Sequence, residues 1–314
     1  MKVLVTGGAG FQGSHLVEHL VSEGHSVSVL NTFSEKGAEN LSAVKDDINL
    51  IWGSVTDPVL VERTVSEHEV IFHLAAKINV DESIEDPSSF VQTNIVGTFN
   101  ILEAARKHGA RVIYASSCEV YGDGHNLAKD ELLSESSELR PNSPYAASKV
   151  GADRLCHAYY KSYGLNVTMV RPFNIYGERQ KGGTFGALIP IFVQRALDGQ
   201  SLEVKGDGSA TRDYMHVSDI VRAYDLVLNH PDEFQGEAVN FATGKNTSVK
   251  DIAEFVAKAF SVKITYGPAR PGEVTRFPAD KSALEKIGFK TEVDIWEGIY
   301  KYIDWAKSES LVLV

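Results

Sequence analysis

Cysteine is scarce in this sequence: only Cys118 and Cys156 occur among 314 residues. Two thiols are too few for a disulfide framework or a structural zinc site. Basic residues are outnumbered as well, with 31 Lys and Arg against 42 Asp and Glu and a formal net charge of −11. That balance excludes a nucleic-acid surface, which needs a basic stripe. It is compatible with a small anionic ligand, because a few arginines in a cleft reverse the local potential. Long hydrophobic runs are missing, so no segment reads as a membrane span. The first residues, Met1 to Val5, lead straight into a glycine turn, without the apolar stretch and cleavage site of a signal peptide. The cytoplasm is the expected compartment. There is no internal repeat and no low-complexity tract. His15 and His19 stand four apart without a third ligand near them. They read as a solvated helix face, and no metal is expected.

What the sequence does have is alternation. Residues 3–6, 26–30, 50–52, 70–74, 111–116 and 167–171 are brief β-branched runs that read as buried strands. Helical patterns at 14–22, 58–67, 90–108 and 144–163 lie between them. This spacing predicts an α/β fold, a doubly wound parallel (Rossmann) sheet covered on both faces. After Arg171 the loops lengthen and grow rich in Gly and Arg, around helices at 189–197 and 249–260. The second rhythm predicts a smaller α/β substrate lobe. The expected division is 1–172 plus about 214–242 for the first domain, and 173–213 plus about 243–314 for the other. Residues 311–314 read as a tail without a function.

The first strand runs into Thr6-Gly7-Gly8-Ala9-Gly10-Phe11-Gln12-Gly13, and a helix follows at once. Gly8, Gly10 and Gly13 fit the dinucleotide fingerprint: a tight turn, close backbone approach to a pyrophosphate, and close helix–sheet packing. Amides at the helix start would face the phosphates. The expected cofactor-binding set is Gly7, Gly10, Phe11, Gln12, Gly13 and Asn31, joined by Tyr145 and Lys149. Asn31 ends the second strand, where an acidic residue would bond the adenosine ribose. Its amide still bonds a hydroxyl but lacks the charge that repels the extra phosphate of NADP. Residues 32–40 contain no arginine to hold that phosphate, and only Lys36 is basic. NAD is the expected cofactor.

Further motifs follow: His73-Leu74-Ala75-Ala76, Asn94 to Thr98, Ser116-Ser117, Val120-Tyr121-Gly122, Tyr145 to Lys149, Arg171 to Gly177, Gly206 to Asp213, and Arg270 to Glu273. With the glycine turn, they make the sequence resemble the extended short-chain dehydrogenase/reductases that epimerise or dehydrate nucleotide sugars, over nearly its whole length. Tyr145 and Lys149 are four apart at a helix start and project from one face. A tyrosine with a pKa of about 10 is a poor base at neutral pH, whereas a neighbouring Lys⁺ and an oxidised nicotinamide favour its phenolate. The resemblance implies that Tyr145 takes the C4-hydroxyl proton while C4 hydride passes to NAD. It also implies that Lys149 bonds the nicotinamide ribose and that Ser117 orients the substrate hydroxyl. Asn94 becomes a structural helper, and Asn174, Arg212 and Arg270 hold the nucleotide diphosphate, a task that suits the planar guanidinium. His73 reads as a packing or backbone-bonding residue and Cys156 as a small core residue. The helices at 90–108 and 144–163 resemble those of a four-helix dimer contact in the family, so a homodimer is expected. Ser54 stands where the family often has an adenine-binding aspartate, so the adenine contact must differ here.

Ser117-Cys118-Glu119 separates two readings. Glu119 matches the C5 base of the family's 4,6-dehydratases, and Cys118 stands where they have an aspartic acid that protonates the water leaving C6. A 4-epimerase needs neither. A thiol titrating at about 8.5 is protonated at neutral pH and can donate. The blander reading is a small buried filler beside a local hydrogen-bonding glutamate. The leading expectation is therefore an NAD-dependent nucleotide-sugar dehydratase. It resembles the NDP-hexosamine 5,6-dehydratases of the kind used in tunicamycin biosynthesis, an antibiotic pathway. There, hydride returning to C4 would leave a 5,6-alkene, and a UDP-linked hexosamine, UDP-N-acetylglucosamine, is the first substrate to try. A nucleotide-sugar 4-epimerase is the second reading. A non-catalytic NAD(H)-sensing protein on the same fold is the third, and the intact Ser117, Tyr145 and Lys149 set argues against it.

Overall fold

The computed structural model describes residues 1–122, 131–180, 182, 187–269 and 276–312. The chain divides into two compact units. The first holds 1–122, 138–172 and 221–240; the second holds the described parts of 123–137, 173–220 and 241–314. The strands are β1 (Lys2–Thr6), β2 (Ser26–Asn31), β3 (Ile48–Trp52), β4 (Val70–His73), β5 (Arg111–Ala115), β6 (Val167–Pro172), β7 (Asn174–Tyr176), β8 (Leu202–Lys205), β9 (Thr211–His216), β10 (Ala238–Phe241), β11 (Asn246–Ser248) and β12 (Ile264–Gly267).

Among the described residues, seven strands form one sheet in the order β10-β6-β5-β4-β1-β2-β3. The neighbours from β3 to β6 run parallel, with Val3 opposite both Val27 and Val70, and Val112 opposite Val167. β4, β5 and β6 are buried along their whole length, as expected of a parallel sheet covered on both faces. Chain order runs outward in one direction from β1 to β3 and in the other from β4 to β6. The crevice beyond the carboxyl ends of β1 and β4 is thus a topological switch point. Leu4, Ile71, Val112 and Met169 of the sheet share a core with Leu102, Ala105, Ala152 and the fully buried Cys156.

Local chemistry sets the helix ends. In Pro144–Tyr163, Ser143 Oγ accepts from the Ala146 amide, Pro144 takes the first turn, and Gly164 closes the helix in the left-handed region. The expected helix at 90–108 is instead three pieces: a short helix Pro87–Phe90, a π turn Val91–Val96, and an α-helix Gly97–His108. A helical period of apolar residues does not distinguish a wide turn from an ordinary one, so the sequence pattern ran through the change. Sequence reasoning also passed over Glu35–Asn40, Val80–Glu85 and Val217–Asn229.

In the second unit, sheets β11-β9-β7 and β12-β8 are covered by helices Leu188–Leu197, Val249–Phe260 and Ile295–Val312. Phe192, Val193, Ile252, Val256, Ile299 and Tyr302 form its core. Residues 214–220, expected in the first domain, fall in the second unit, because β9 carries Tyr214, Met215 and His216 into pairing with β7. The last helix continues to Val312, so the tail expected from Leu311 is partly helix, and its last two residues lie outside the described ones.

Candidate active site

The glycine turn lies against the ends of β1, β2 and β4. Gly7 has φ +72, and a Cβ there would meet the Ala75 amide nitrogen at 2.7 Å. At Gly13 a Cβ would meet the Gly7 carbonyl oxygen at 2.2 Å. Neither position tolerates a side chain, because the turn packs against its own backbone and against the chain that leaves β4. Gly10 caps helix Phe11–Ser22 without any side-chain hydrogen bond, and the first turn has no acidic residue. The leading amides, including those of Phe11, Gln12 and Gly13, are therefore left for an external anion. Gln12 also accepts from the Tyr224 hydroxyl at 3.5 Å. Asn31 Oδ1 accepts from the Ala9 amide at 3.3 Å, and its Nδ2 donates to the Thr32 carbonyl at 2.7 Å. Asn40, unnoticed in the sequence, donates to the Ala9 carbonyl at 3.1 Å. The two amides brace the turn from the β2 side.

Five expected catalytic residues come together at the carboxyl end of β5 and the start of helix Pro144–Tyr163. Ser117 caps the short 3₁₀ turn Cys118–Tyr121, its Oγ accepting from the Glu119 amide at 3.2 Å. Ser117, Glu119 and Cys118 all lie close enough to Tyr145 to act on its phenol. Burial pushes the Tyr145 phenol above its ordinary value, the Ser117 hydroxyl opposes that rise, and Glu119 and Cys118 add to it. Lys149 is buried, donates to the Ala115 carbonyl at 2.7 Å, and lies 5.1 Å from the centre of the Tyr114 ring. Burial draws its ammonium down to about 8. Cys118 and Tyr145 are nearly closed to solvent, and Glu119 is half-buried.

A buried chain of neutral hydrogen bonds runs beneath this site. His73 Nδ1 meets Thr6 Oγ1 at 2.7 Å and its Nε2 meets Thr98 Oγ1 at 2.9 Å. Thr98 donates to the Asn94 carbonyl at 2.6 Å, so its oxygen must accept from His73 Nε2–H. Nδ1 then accepts from the Thr6 hydroxyl, whose oxygen takes the Ala75 amide at 3.3 Å. Burial first, and the Lys149 charge second, hold His73 neutral down to about 3. His73 is thus fully buried, and its ring bonds side chains where packing or a backbone bond was expected. Asn94 accepts from the Lys77 amide at 2.8 Å and donates to the Lys77 carbonyl and Ser148 Oγ, both at 2.9 Å. Ser148 donates to the Tyr145 carbonyl at 2.7 Å. Thr6, Thr98 and Ser148 lie inside the motifs read from the sequence, which gave them no role, although the four-residue spacing of Asn94 and Thr98 places them on one helix face.

In the second unit Asn174 Nδ2 donates to the Asp213 carbonyl at 3.2 Å, placing it beside β9, which carries Arg212. Arg212 donates to the Thr211 carbonyl at 2.9 Å. The Asp213 carboxylate accepts from the amides of Thr243 and Gly244 and from the Thr243 hydroxyl, at 2.7–2.9 Å. Arg270 lies outside the described residues. Among the described residues no group of three or more His, Cys, Asp or Glu could hold a metal, and no helix is long and apolar enough to cross a membrane.

Residues 3–242 match the model of the NAD dependent epimerase/dehydratase family. The chain belongs to that family. A dTDP-glucose 4,6-dehydratase of Streptomyces niveus is 35% identical over 319 residues, covering 97% of this chain and 92% of the relative. A UDP-glucose 4-epimerase of Mycolicibacterium smegmatis is also 35% identical, over 317 residues, with 99% and 100% coverage. The dTDP-glucose 4,6-dehydratase DesIV of Streptomyces venezuelae, solved with NAD bound, superposes with a TM-score of 0.89 at 32% identity, covering 99% of this chain and 98% of that one. NAD is the family's cofactor, and the tight turn held by Gly7 and Gly13, with the uncapped start of helix Phe11–Ser22, fits its pyrophosphate.

Proposed function

We propose that this chain is a nucleotide-sugar dehydratase acting on a UDP-linked hexosamine, with UDP-N-acetylglucosamine the first candidate. The observation that carries the reading is the grouping of Tyr145 with Ser117, Cys118 and Glu119. An epimerase needs one group that moves the O4 proton; this site offers two more. NAD, held at the glycine turn and by Lys149, would supply the hydride acceptor and donor at C4. Ser117 orients the C4 hydroxyl and Tyr145 removes its proton. Once C4 is a ketone, the C5 proton is acidified and Glu119 takes it. The C6–O bond breaks, and Cys118 gives its proton to the departing hydroxide, so water leaves. Return of hydride to C4, with the Tyr145 proton going back to O4, leaves the C5=C6 double bond. In this reading Arg212, Asn174 and Arg270 hold the diphosphate, the first unit carries NAD, and the second unit carries the nucleotide sugar.

The test is incubation with UDP-N-acetylglucosamine and dTDP-glucose in deuterium oxide, followed by NMR and mass spectrometry. Water loss is expected from the native chain. Glu119→Gln should lose dehydration and C5 deuterium exchange together while still oxidising C4. Native protein that only inverts C4 would establish the epimerase reading, which relatives at equal identity make the nearest competitor.

A further inference from the structure

At the carboxyl ends of β2 and β3 two large aromatic side chains stand open. Phe33 is 67% exposed and Trp52 38%, and their rings meet edge to face with centroids 5.1 Å apart. Both are beside the glycine turn. Asn31, whose amide holds Ala9, is the register partner of Trp52, and the Gly53 amide donates to the Asn31 carbonyl at 2.8 Å. Exposed aromatic surface at a ligand crevice marks a contact waiting for a partner.

The polar groups at the same edge are turned inward. Asn31 is bonded to Ala9 and Thr32. Ser54 Oγ shares a hydrogen with Thr56 Oγ1 at 2.8 Å and accepts from the Thr56 amide at 3.2 Å. Neither strand end carries a carboxylate that could accept from the amino group of adenine.

We propose that Phe33 and Trp52 form an aromatic seat for the adenine of NAD, so that this chain holds the adenosine end by the face of the base and not by its amino group. The seat rests on the reading of the glycine turn as the NAD cradle. An edge-to-face pair leaves one ring face free, and a purine stacks on such a face whatever substituent it bears at C6. A hydrogen bond to a carboxylate would instead discriminate strongly by that substituent.

Competition between dinucleotides tests this directly. The full-length chain is equilibrated with excess equimolar NAD and nicotinamide hypoxanthine dinucleotide, desalted and denatured, and the released dinucleotides are separated by chromatography. Hypoxanthine keeps the ring face and loses the amino donor. A bound ratio within about fivefold of one is expected, and a larger preference for NAD overturns the proposal. Phe33→Ala should speed NAD loss about tenfold, Phe33→Tyr should restore retention, and NAD should quench a fluorescence component absent from Trp52→Phe. Unchanged retention in Phe33→Ala also overturns the seat. Failure of the native chain to retain either dinucleotide would overturn the cradle itself, a separate result.

Discussion

Tyr145 is placed where its own ionisation is hard. Burial and two neighbouring acids raise it, and only the Ser117 hydroxyl acts the other way. Lys149 donates one of its three N–H groups to the Ala115 carbonyl, and the positive charge of an oxidised cofactor would favour the phenolate as well. Tyr145→Phe should cut turnover by about 10²–10⁴-fold, the usual contribution of a general acid–base group, with NAD still recovered from denatured protein; a native rate would overturn the role. His73 gives a pH signature of its own. Its folded pKa of about 3 lies below the ordinary 6.5, so the unfolded chain binds the extra proton between these values. The stability it contributes is complete above 6.5 and is lost as pH falls, with a slope of about 1.4 kcal/mol per pH unit. Urea titrations between pH 4 and 6.5 should show this slope flattened in His73→Gln.

Helix Pro144–Tyr163 carries Tyr145 and Lys149, and its fixing to the sheet is electrostatic as well as apolar. Asp153 Oδ2 accepts from Arg171 Nε and Asp153 Oδ1 from Arg171 Nη2, both at 3.0 Å, while Arg171 Nη1 donates to the Tyr121 hydroxyl at 3.0 Å. Arg154 also bonds Asp153 from a half-exposed position. Arg171→Met leaves a buried carboxylate with that weaker partner and should cost about 3 kcal/mol, whereas Asp153→Leu with Arg171→Met should regain most of it; denaturant midpoints of the two variants decide. This helix was fully legible in the sequence, since proline, capping serine and closing glycine all stand at its ends. The ion pair was not, because Asp153 and Arg171 are ordinary surface types whose burial only the fold reveals. The same is true of Thr6, Thr98 and Ser148: a threonine in a strand or helix announces nothing until its partner is known. Glycine positions were legible because their chemistry is backbone geometry, which a local motif encodes.

For the whole molecule, the sequence carried the parallel sheet, whose strands are brief β-branched runs. Strand β9 gives no period by which to say which sheet it joins. Association belongs to this scale too. Val91 and Phe99 are each 44% exposed and Tyr163 58%, on the helical stretches expected to form a dimer. Apolar surface of this kind is expected to be covered by a second copy. Sedimentation at micromolar concentration should give twice the 34.3 kDa chain mass, and Phe99→Glu should yield monomer. A native chain sedimenting only as monomer would exclude that surface as a dimer contact.

The π turn at Val91–Val96 has a consequence for how the chain tolerates insertion and deletion. A π turn is, in effect, one residue too many for an α-helix. Removing a single residue there would let the helix close into an ordinary α-turn with the flanking pieces nearly in their present phase, but the widened turn that presents Asn94 would be lost. Asn94 could then no longer reach Lys77 and Ser148 at once. Hydropathy, charge and helix content would be almost unchanged, yet the support under Tyr145 would be gone. In this stretch the chain's length carries information that its composition does not.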